Sequence, residues 1–536
     1  MLQKIAGDII LYWGWKRNGA AFLAGLLLNL ALPPFDFFAV GFVSFPVLLW
    51  LLEGADSAPS ARGLLRAYPA AVIGWFFGFG YFLGGLWWLG NALLNAGNEF
   101  LWALPLAIVG LPAALAFFFS LAAVIARMLR GSGIGAAASL AFAIGITEWL
   151  RGFVLTGFPW NGIGMTIMPS PTLMQSASVF GIVGMNALAV FVFALPACFA
   201  LSRRRWLGLL LSGLLFATHA VFGMMTLSPA PQKTPASETT TVRLVQPSIQ
   251  QSDKWDAAER DQIFSTYLKM TAELPEQGKR APSLVIWPET AVPFILTDRP
   301  DALAAIGEVL ADGQILLAGT VRQEGVRENG DELRYYNSIV AISSNGEIID
   351  AADKVHLVPF GEYLPLEGLL RSLGIEQIVS TPGGFSAGSR MHAFSLPGLP
   401  GILPMICYEI IFPGAVEAAK TRPALVVNIT NDAWYGYTPG PYQHLRLAQI
   451  RAVESGIPVI RSANNGVSAF IDSHGRINAA LDLNVVGNLD LAIDQNNSRT
   501  AYSQNGARTI FFTYCVLLAL IGLTNLLRRY RMAKSV

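Results

Sequence analysis

Apolar residues are spread unevenly along the chain. Up to about residue 223 they form successive hydrophobic stretches broken by short polar joints. From about 224 to 506 polar and apolar positions mix as in a globular domain, and 508–527 is apolar again. A helix needs about 20 apolar residues to span a bilayer. The pattern predicts spans near 18–34, 37–53, 70–93, 101–126, 133–150, 178–200 and 206–225, with an eighth at 508–527. No small-residue cleavage site follows the first, so it reads as an uncleaved anchor.

Composition agrees with a membrane protein. Of 536 residues, 53% are hydrophobic and only 14% are charged, against roughly 25% charged in soluble domains. With 37 basic and 36 acidic residues the net charge is +1, so no basic excess exists to neutralise a phosphate backbone and no nucleic-acid partner is expected. Three cysteines exclude a disulfide scaffold. No Cys/His pair has zinc-ligand spacing, so no metal is expected.

The basic residues also give an orientation. Lys4, Lys16 and Arg17 precede span one, Arg62 and Arg66 lie between two and three, and Arg127 and Arg130 follow four. Arg203, Arg204 and Arg205 separate six from seven; Arg528, Arg529, Arg531 and Lys534 follow eight. The alternate loops hold only Arg151. Basic loops face the cytoplasm, which puts both termini inside. The expected domains are a seven-helix membrane domain over 1–225, an exported domain over 226–506, and an eighth span with a basic tail over 507–536.

Span three carries Gly74, Gly78, Gly80 and Gly84 among Trp75, Trp87 and Trp88. Close helix packing with interfacial aromatics accounts for this better than a ligand site. No mid-span ionisable pattern suggests a proton or ion relay, which disfavours a transporter.

After a Ser/Thr/Pro-rich linker over 224–240, short β-branched runs alternate with helical stretches, the mark of a layered α/β domain. Strands are expected at Thr241–Val245, Leu284–Trp287, Ile315–Ala318, Ser338–Ile342, Ile402–Ile406, Leu425–Ile429, Pro458–Ser462 and Ser468–Ile471. Helices are expected near 256–273, 300–311, 413–420 and 442–455. Several strands run directly into polar residues: Pro288-Glu289, Cys407-Tyr408-Glu409 and Thr430-Asn431-Asp432. Sites in open α/β sheets form beyond the carboxyl ends of strands, so a carboxylate and a thiol could meet at one edge.

Cys407 has no disulfide partner in its domain, since Cys198 and Cys515 lie within expected spans. A lone cysteine is more often a buried apolar residue than a nucleophile. The nucleophilic alternative needs help, because a free thiol with a pKa near 8.5 is mostly protonated at pH 7. Glu289 could take the proton, and Lys354, with Glu362 to orient it, could stabilise the thiolate and an oxyanion. Singly these charges read as solvated; together they suggest a site.

The segments SLVIWPETAVP, DKVHLVPFGEYLP, LPMICYEIIFP and NDAWYGYTPGPYQHLRLAQIRAVESGIPVIRSANNG resemble, in this order, the nitrilase (carbon–nitrogen hydrolase) superfamily. Flanked by seven spans and one, they resemble its membrane-embedded branch, the bacterial apolipoprotein N-acyltransferase family. The resemblance implies an αββα sandwich with a Glu–Lys–Cys triad: Glu289 as general base, Lys354 at the oxyanion and Cys407 as nucleophile. It implies supporting roles for Glu362, Tyr408 and Glu409, and pocket positions for Trp255, Asn337, Trp434 and Tyr435. Where the family usually has VQGNIPQ this chain reads VQPSIQQ, so Ser248 receives no role. The implied reaction moves an acyl chain from a phospholipid, through a cysteine thioester, to the N-terminal amine of a diacylated lipoprotein in the bacterial inner membrane. It requires no cofactor.

A membrane-tethered amidase with water as acceptor would not explain eight spans where one would anchor. A non-catalytic lipid or lipoprotein receptor would not need a base, a cation and a thiol together. Gly384-Phe385-Ser386-Ala387-Gly388 fits the G-x-S-x-G elbow in letters, but it lacks the preceding strand and following helix, and it reads as a glycine-rich loop. His356, His392, His444 and His474 read as structural. Leu366, Leu369, Leu370 and Leu373 recur at helical spacing, followed by Ile375, Ile378 and Val379. They suit an ordinary amphipathic helix packed on its own domain or, the reading preferred, an arm that dips into the outer leaflet and could also cover the site.

Overall fold

The computed structural model describes residues 2–55, 66–94, 100–129, 131–201, 205–228, 239–252, 254, 258–275, 280–325, 333–365, 368, 372, 384–494 and 499–534. The chain forms two compact units: Met1–Gly90, Ala103–Ala230 and Arg499–Val536 make the first, and Asn91–Trp102 with Pro231–Ser498 make the second. The expected arm over 366–379 lies almost wholly outside the described residues, as does most of the linker.

The first unit is helical. Among the described residues, six helices are long and apolar enough to cross a membrane: Tyr68–Leu93, Leu101–Leu129, Ile134–Arg151, Ala177–Ala200, Trp206–Leu227 and Ala501–Lys534. The two earliest expected spans fold as shorter helices. One runs Gly14–Leu28 and stops before Pro33 and Pro34; the other runs Gly41–Glu53 with Pro46 inside it. Eight apolar segments are therefore present, of which six have spanning length.

Glycines set the helix spacing. A Cβ at Gly74 would lie 2.3 Å from the Phe119 carbonyl oxygen, and one at Gly80 would lie 2.1 Å from that of Phe22. Six residues turn a helix by about 240°, so the 74/78 and 80/84 pairs serve different neighbours, Leu111–Leu129 and Gly14–Leu28. Gly25 approaches Phe77 from the other side: its Cβ would lie 1.9 Å from that carbonyl oxygen. Gly25→Leu is expected to wedge these helices apart and to destabilise the bundle by about 3 kcal/mol or more. A thermal melt in detergent checks this, with Gly7→Ala as the control, because nothing lies within 4 Å of a Cβ at Gly7. Equal midpoints for the two variants would refute the close-packing argument. Arg151, the one basic residue in an otherwise uncharged loop, is buried and paired with Glu148 at 2.7 Å.

The second unit holds two sheets. Strands β1 (Thr239–Gln246), β2 (Leu284–Ile286), β3 (Ile315–Glu324), β4 (Arg334–Ser343) and β5 (Ile348–Asp353) are followed by β6 (Ile402–Ile406), β7 (Leu425–Thr430) and β8 (Val459–Ala463). Then come β9 (Ser468–Ile471), β10 (Ile477–Leu481) and β11 (Gly487–Asp494). One sheet has the order β11-β1-β2-β3-β4-β5 and the other β10-β9-β8-β7-β6. Each has a parallel core, β1-β2-β3 or β6-β7-β8, flanked by antiparallel strands.

Side chains alternate across a strand, and here both faces of the first sheet are buried. Val242, Leu244, Leu284, Ile286, Ile315 and Leu317 meet Ile402, Leu425, Val427 and Ile460 of the second sheet. Val245, Val285, Leu316 and Val340 face the opposite way, onto Ile263, Phe264, Tyr267 and Ile306. Those last residues belong to helices Arg260–Ala272 and Pro300–Val309. The helix Pro439–Ser455 packs against β8 and β9 of the second sheet. The layering is helix, sheet, sheet, helix, as the nitrilase resemblance implies. The helix expected at 413–420 is absent: Gly414 takes a φ of +79° and the segment closes as turns.

Candidate active site

The parallel strands end on charged and polar residues because each buried apolar run stops at the same edge. Glu289 follows β2, Lys354 follows β5, Cys407 follows β6 and Thr430 closes β7. All four are buried.

Lys354 Nζ lies 2.9 Å from Glu362 Oε1 and 3.3 Å from Glu289 Oε1. Asn337 Nδ2 donates to both of those carboxylate oxygens at 2.8 Å. The second oxygens are also held: Glu289 Oε2 accepts from the Asn431 amide at 2.9 Å, and Glu362 Oε2 from the Val358 amide at 2.8 Å. Glu362 thus orients the lysine, and Asn337 fixes the separation of the two carboxylates. Glu409 fastens the cysteine turn to the lysine loop, accepting from the amides of Ile406 (2.7 Å), Val355 (2.7 Å) and His356 (3.2 Å).

Cys407 itself has a φ of +50°, at the start of a short 3-10 turn, Cys407–Ile411. A non-glycine residue rarely sits there, and such strain persists only when the surroundings over-determine it. They do so here. The Cys407 carbonyl oxygen is 3.1 Å from His444 Nε2 and accepts from Asn428 Nδ2 at 3.5 Å, while Thr430 Oγ1 lies 3.2 Å from Sγ.

Burial, then the Glu289 charge, push the Cys407 thiol well up, against the pull of Lys354. Burial alone would raise Glu289; Lys354, the Asn337 hydrogen bond, Lys254 and a hydrogen bond with Cys407 reverse that and hold it below the ordinary carboxylate value. Burial would strip Lys354 of its proton, but Glu362, Glu289 and Cys407 overcome it and raise the ammonium. The resting site is therefore an uncharged thiol beside an ionised carboxylate and an ammonium. Such an arrangement suits proton removal as the nucleophile attacks, rather than a standing thiolate.

Tyr408 is buried beside Cys407, edge-on to Phe412 at 5.1 Å. Trp434 and Tyr435 sit in the turn Asp432–Tyr435 after β7. Burial, and then the Cys407, Asp432 and Glu289 charges, raise the Tyr435 phenol, which places it near the thiol. Trp255 lies outside the described residues. Ser248 has a φ of +55°, with its amide donating to the Asn464 carbonyl at 2.9 Å. Asn adopts that conformation more readily than Ser, which accounts for the family's usual residue there. The Gly384–Gly388 segment is a loop, as expected, with Gly384 at a φ of +75°. The amides of Phe385, Ser386 and Gly388 donate to the carbonyls of Glu362, Tyr335 and Lys354, so it laces the site's backbone together.

Sequence reasoning missed several participants. Lys254 is buried, donates to the Glu289 carbonyl at 2.9 Å, and is lowered to about 8 by burial. Asp432, His444 and Arg461 form a buried cluster under Cys407. The polar run Thr430-Asn431-Asp432 after a fully buried strand was the available signal. His444, by contrast, sits in a helix whose sequence marks no face as special.

A carbon–nitrogen hydrolase family profile matches residues 241–502, and an apolipoprotein N-acyltransferase N-terminal domain profile matches residues 24–195. A Brucella suis biovar 1 (strain 1330) protein named apolipoprotein N-acyltransferase is 53% identical over 490 residues, covering 91% of this chain and 92% of its own. One of the same name from Rhizobium etli (strain CIAT 652) is 50% identical over 525 residues, covering 97% and 98%. Among solved structures, an amidase of the nitrilase superfamily from Nesterenkonia AN1 is 18% identical, covering 49% of this chain and 94% of its own, with a TM-score of 0.35. With relatives this similar along nearly its whole length, the chain belongs to the apolipoprotein N-acyltransferase family.

Proposed function

We propose that this protein transfers a fatty acyl chain from a phospholipid to the N-terminal amine of the S-diacylglyceryl cysteine of a bacterial lipoprotein, the last step of lipoprotein maturation. The observation that carries the chemistry is the buried, uncharged Cys407 thiol set among the ionised Glu289 and the Lys354 ammonium. Family membership supplies the substrates.

In the first half-reaction Glu289 takes the thiol proton and the sulfur attacks the ester carbonyl. The oxyanion forms against Lys354 and a backbone amide such as that of Tyr408. The tetrahedral adduct expels the lysophospholipid alkoxide, which takes the proton from Glu289 and leaves a thioester. In the second, Glu289 receives a proton from the attacking α-amine, whose pKa lies near 8; the thiolate departs from the amide product and takes that proton back from Glu289, restoring the resting site. An apolar entrance to the site would favour this amine over water. Glu362 and Asn337 position the charges, Glu409 and Tyr408 the turn, and Trp255, Trp434 and Tyr435 the pocket walls.

Residues 226–506 carry this reaction, and 1–225 with 507–536 hold it in the inner membrane. The basic loops support cytoplasmic termini and a periplasmic catalytic domain. Alkaline phosphatase fused after Val536 is expected to be inactive and, inserted within 229–238, active; the reverse pattern would invert the topology.

A phospholipid bearing a labelled acyl chain, presented with a synthetic S-diacylglyceryl-cysteine peptide, tests the activity. The label is expected on the peptide in a hydroxylamine-resistant amide. Release of labelled fatty acid at the same rate with and without peptide would indicate a hydrolase instead.

A further inference from the structure

Thr430 ends β7 with its hydroxyl between two acceptors. Oγ1 lies 3.2 Å from Cys407 Sγ and 3.0 Å from Asp432 Oδ1. A hydroxyl has one proton and serves one acceptor well at a time. The cluster around Asp432 shows which one it serves at rest.

The Cys407 carbonyl can only accept, so His444 Nε2, 3.1 Å away, carries the ring proton. Burial and Arg461 lower His444 and keep it neutral. Its Nδ1 is then an acceptor, 3.0 Å from Arg461 Nη2, and cannot donate to Asp432 Oδ1 although that oxygen is also 3.0 Å away. Arg461 Nη2 donates to the other carboxylate oxygen, Oδ2, at 2.7 Å. Among the described residues, Thr430 is left as the donor to Asp432 Oδ1. The resting thiol needs no donor, since its own proton faces Glu289.

We propose that Thr430 is a catalytic hydrogen-bond donor to the Cys407 thiolate, parked on Asp432 until the thiol proton has moved to Glu289. The inference rests on the assignment of Cys407 as nucleophile. As the S–H bond breaks and the Glu289 O–H bond forms, negative charge appears on a sulfur 3.2 Å from Oγ1. The hydroxyl turns to it with its own O–H bond intact. When the thioester forms, the sulfur loses its charge and the hydroxyl returns to Asp432. This gives the nucleophile a donor on the side where Asp432 would otherwise repel the thiolate, and the thiol is indeed raised by Asp432 and lowered by the Thr430 hydrogen bond. Arg461 keeps Asp432 satisfied through Oδ2 while Thr430 is away.

The charged and titratable groups facing the thiol come from several elements: Glu289 after β2, Lys354 after β5, Lys254 before the helix Arg260–Ala272, and Asp432 and Tyr435 after β7. Substituting Thr430 removes none of them. Lys254 titrates inside the experimental window in parent and variant alike.

The test uses full-length protein in detergent with Cys198 and Cys515 replaced by Ala. It follows the rate of iodoacetamide alkylation of Cys407 from pH 5 to 9, together with the rate of acyl-enzyme formation from phospholipid. Thr430→Val is expected to slow both alkylation and acyl-enzyme formation about tenfold at every pH, with KM for phospholipid unchanged. Thr430→Ser, which keeps the hydroxyl, is expected to stay within about threefold of the parent. Should the valine variant fail to fold, Thr430→Ala is read the same way, and the same tenfold loss is expected. A valine variant that alkylates at the parent rate, or a serine variant that falls as far as valine, would overturn the donor role. Cys407→Ala separates the two claims: if it still forms acyl-enzyme, the nucleophile assignment fails. If it is dead while Thr430→Val matches the parent, only the Thr430 role fails.

Discussion

Glu289→Gln is expected to slow formation of the Cys407 acyl-enzyme about 1,000-fold, the middle of the range for a positioned general base. The amide accepts no proton at neutral pH, and the thiol, raised by burial, does not ionise unaided. Folding should survive, because Lys354 keeps its 2.9 Å contact with Glu362. The parent's pH profile follows from the same charges. Burial pulls Glu289 up, but Lys354, Asn337 and Lys254 pull it further down, so the carboxylate stays ionised below its ordinary 4.5. The working form of the base is the ionised one. Acyl-enzyme formation should therefore hold steady as pH falls from 7 to 5, and decline only below 4.5. Single-turnover rates across that range check it. Burial raises Glu409 to about 7, so the profile is repeated in Glu409→Gln: a decline near pH 6 that persists there would mean that the base is another group.

Lys354→Met is expected to damage activity and fold together. It removes the cation at the oxyanion, worth about 100- to 1,000-fold. It also leaves the buried Glu289 and Glu362 carboxylates facing each other through Asn337. Breaking a buried ion pair by deleting one partner costs about 3–5 kcal/mol, and one carboxyl then takes up a proton. The surviving activity should show an acid limb moved up in pH, because Glu289 has lost its main counter-charge. Paired thermal melts and pH-rate profiles read both effects. A variant with parental stability and an unmoved acid limb would show that Lys354 is not the partner of Glu289.

Most of the architecture was legible because burial leaves a plain trace in sequence. Strands β1–β4 and β6–β9 each contain a buried apolar run, and that run located them; β6 lies at an edge but is buried along its whole length. The three strands missed, β5, β10 and β11, are all at sheet edges. Their sequences IIDAAD, INAAL and GNLDLAID carry the charges and small residues that edge strands use to avoid pairing with other chains. The reverse error at 413–420 came from Ala and Glu content, overridden by the positive φ of Gly414. The first two segments fold as helices shorter than a full span: Gly14–Leu28 stops before Pro33 and Pro34, and Gly41–Glu53 has 13 residues. The arm and Trp255 fall outside the described residues.

Within the site, Glu289 and Cys407 stood out because a charge and a thiol directly follow apolar runs, and Lys354 with Glu362 because a cation and a carboxylate stand eight residues apart in the segment DKVHLVPFGEYLP. The layer beneath did not. Lys254, His444 and Arg461 come from a loop, a helix and a strand far apart in sequence, and a buried polar residue within an element looks like a surface one until its partners are known. Lys254 reaches Glu289 and His444 reaches Cys407, with Arg461 joined to His444 and Asp432, only once the sheets are packed.

The most direct measurement is the intact mass of the purified protein after incubation with phospholipid and no acceptor. A gain of one acyl chain is expected, removed by hydroxylamine and absent from Cys407→Ala. A folded, active protein that gains no mass, or a Cys407→Ala variant that gains the same acyl chain, would contradict a thioester at Cys407.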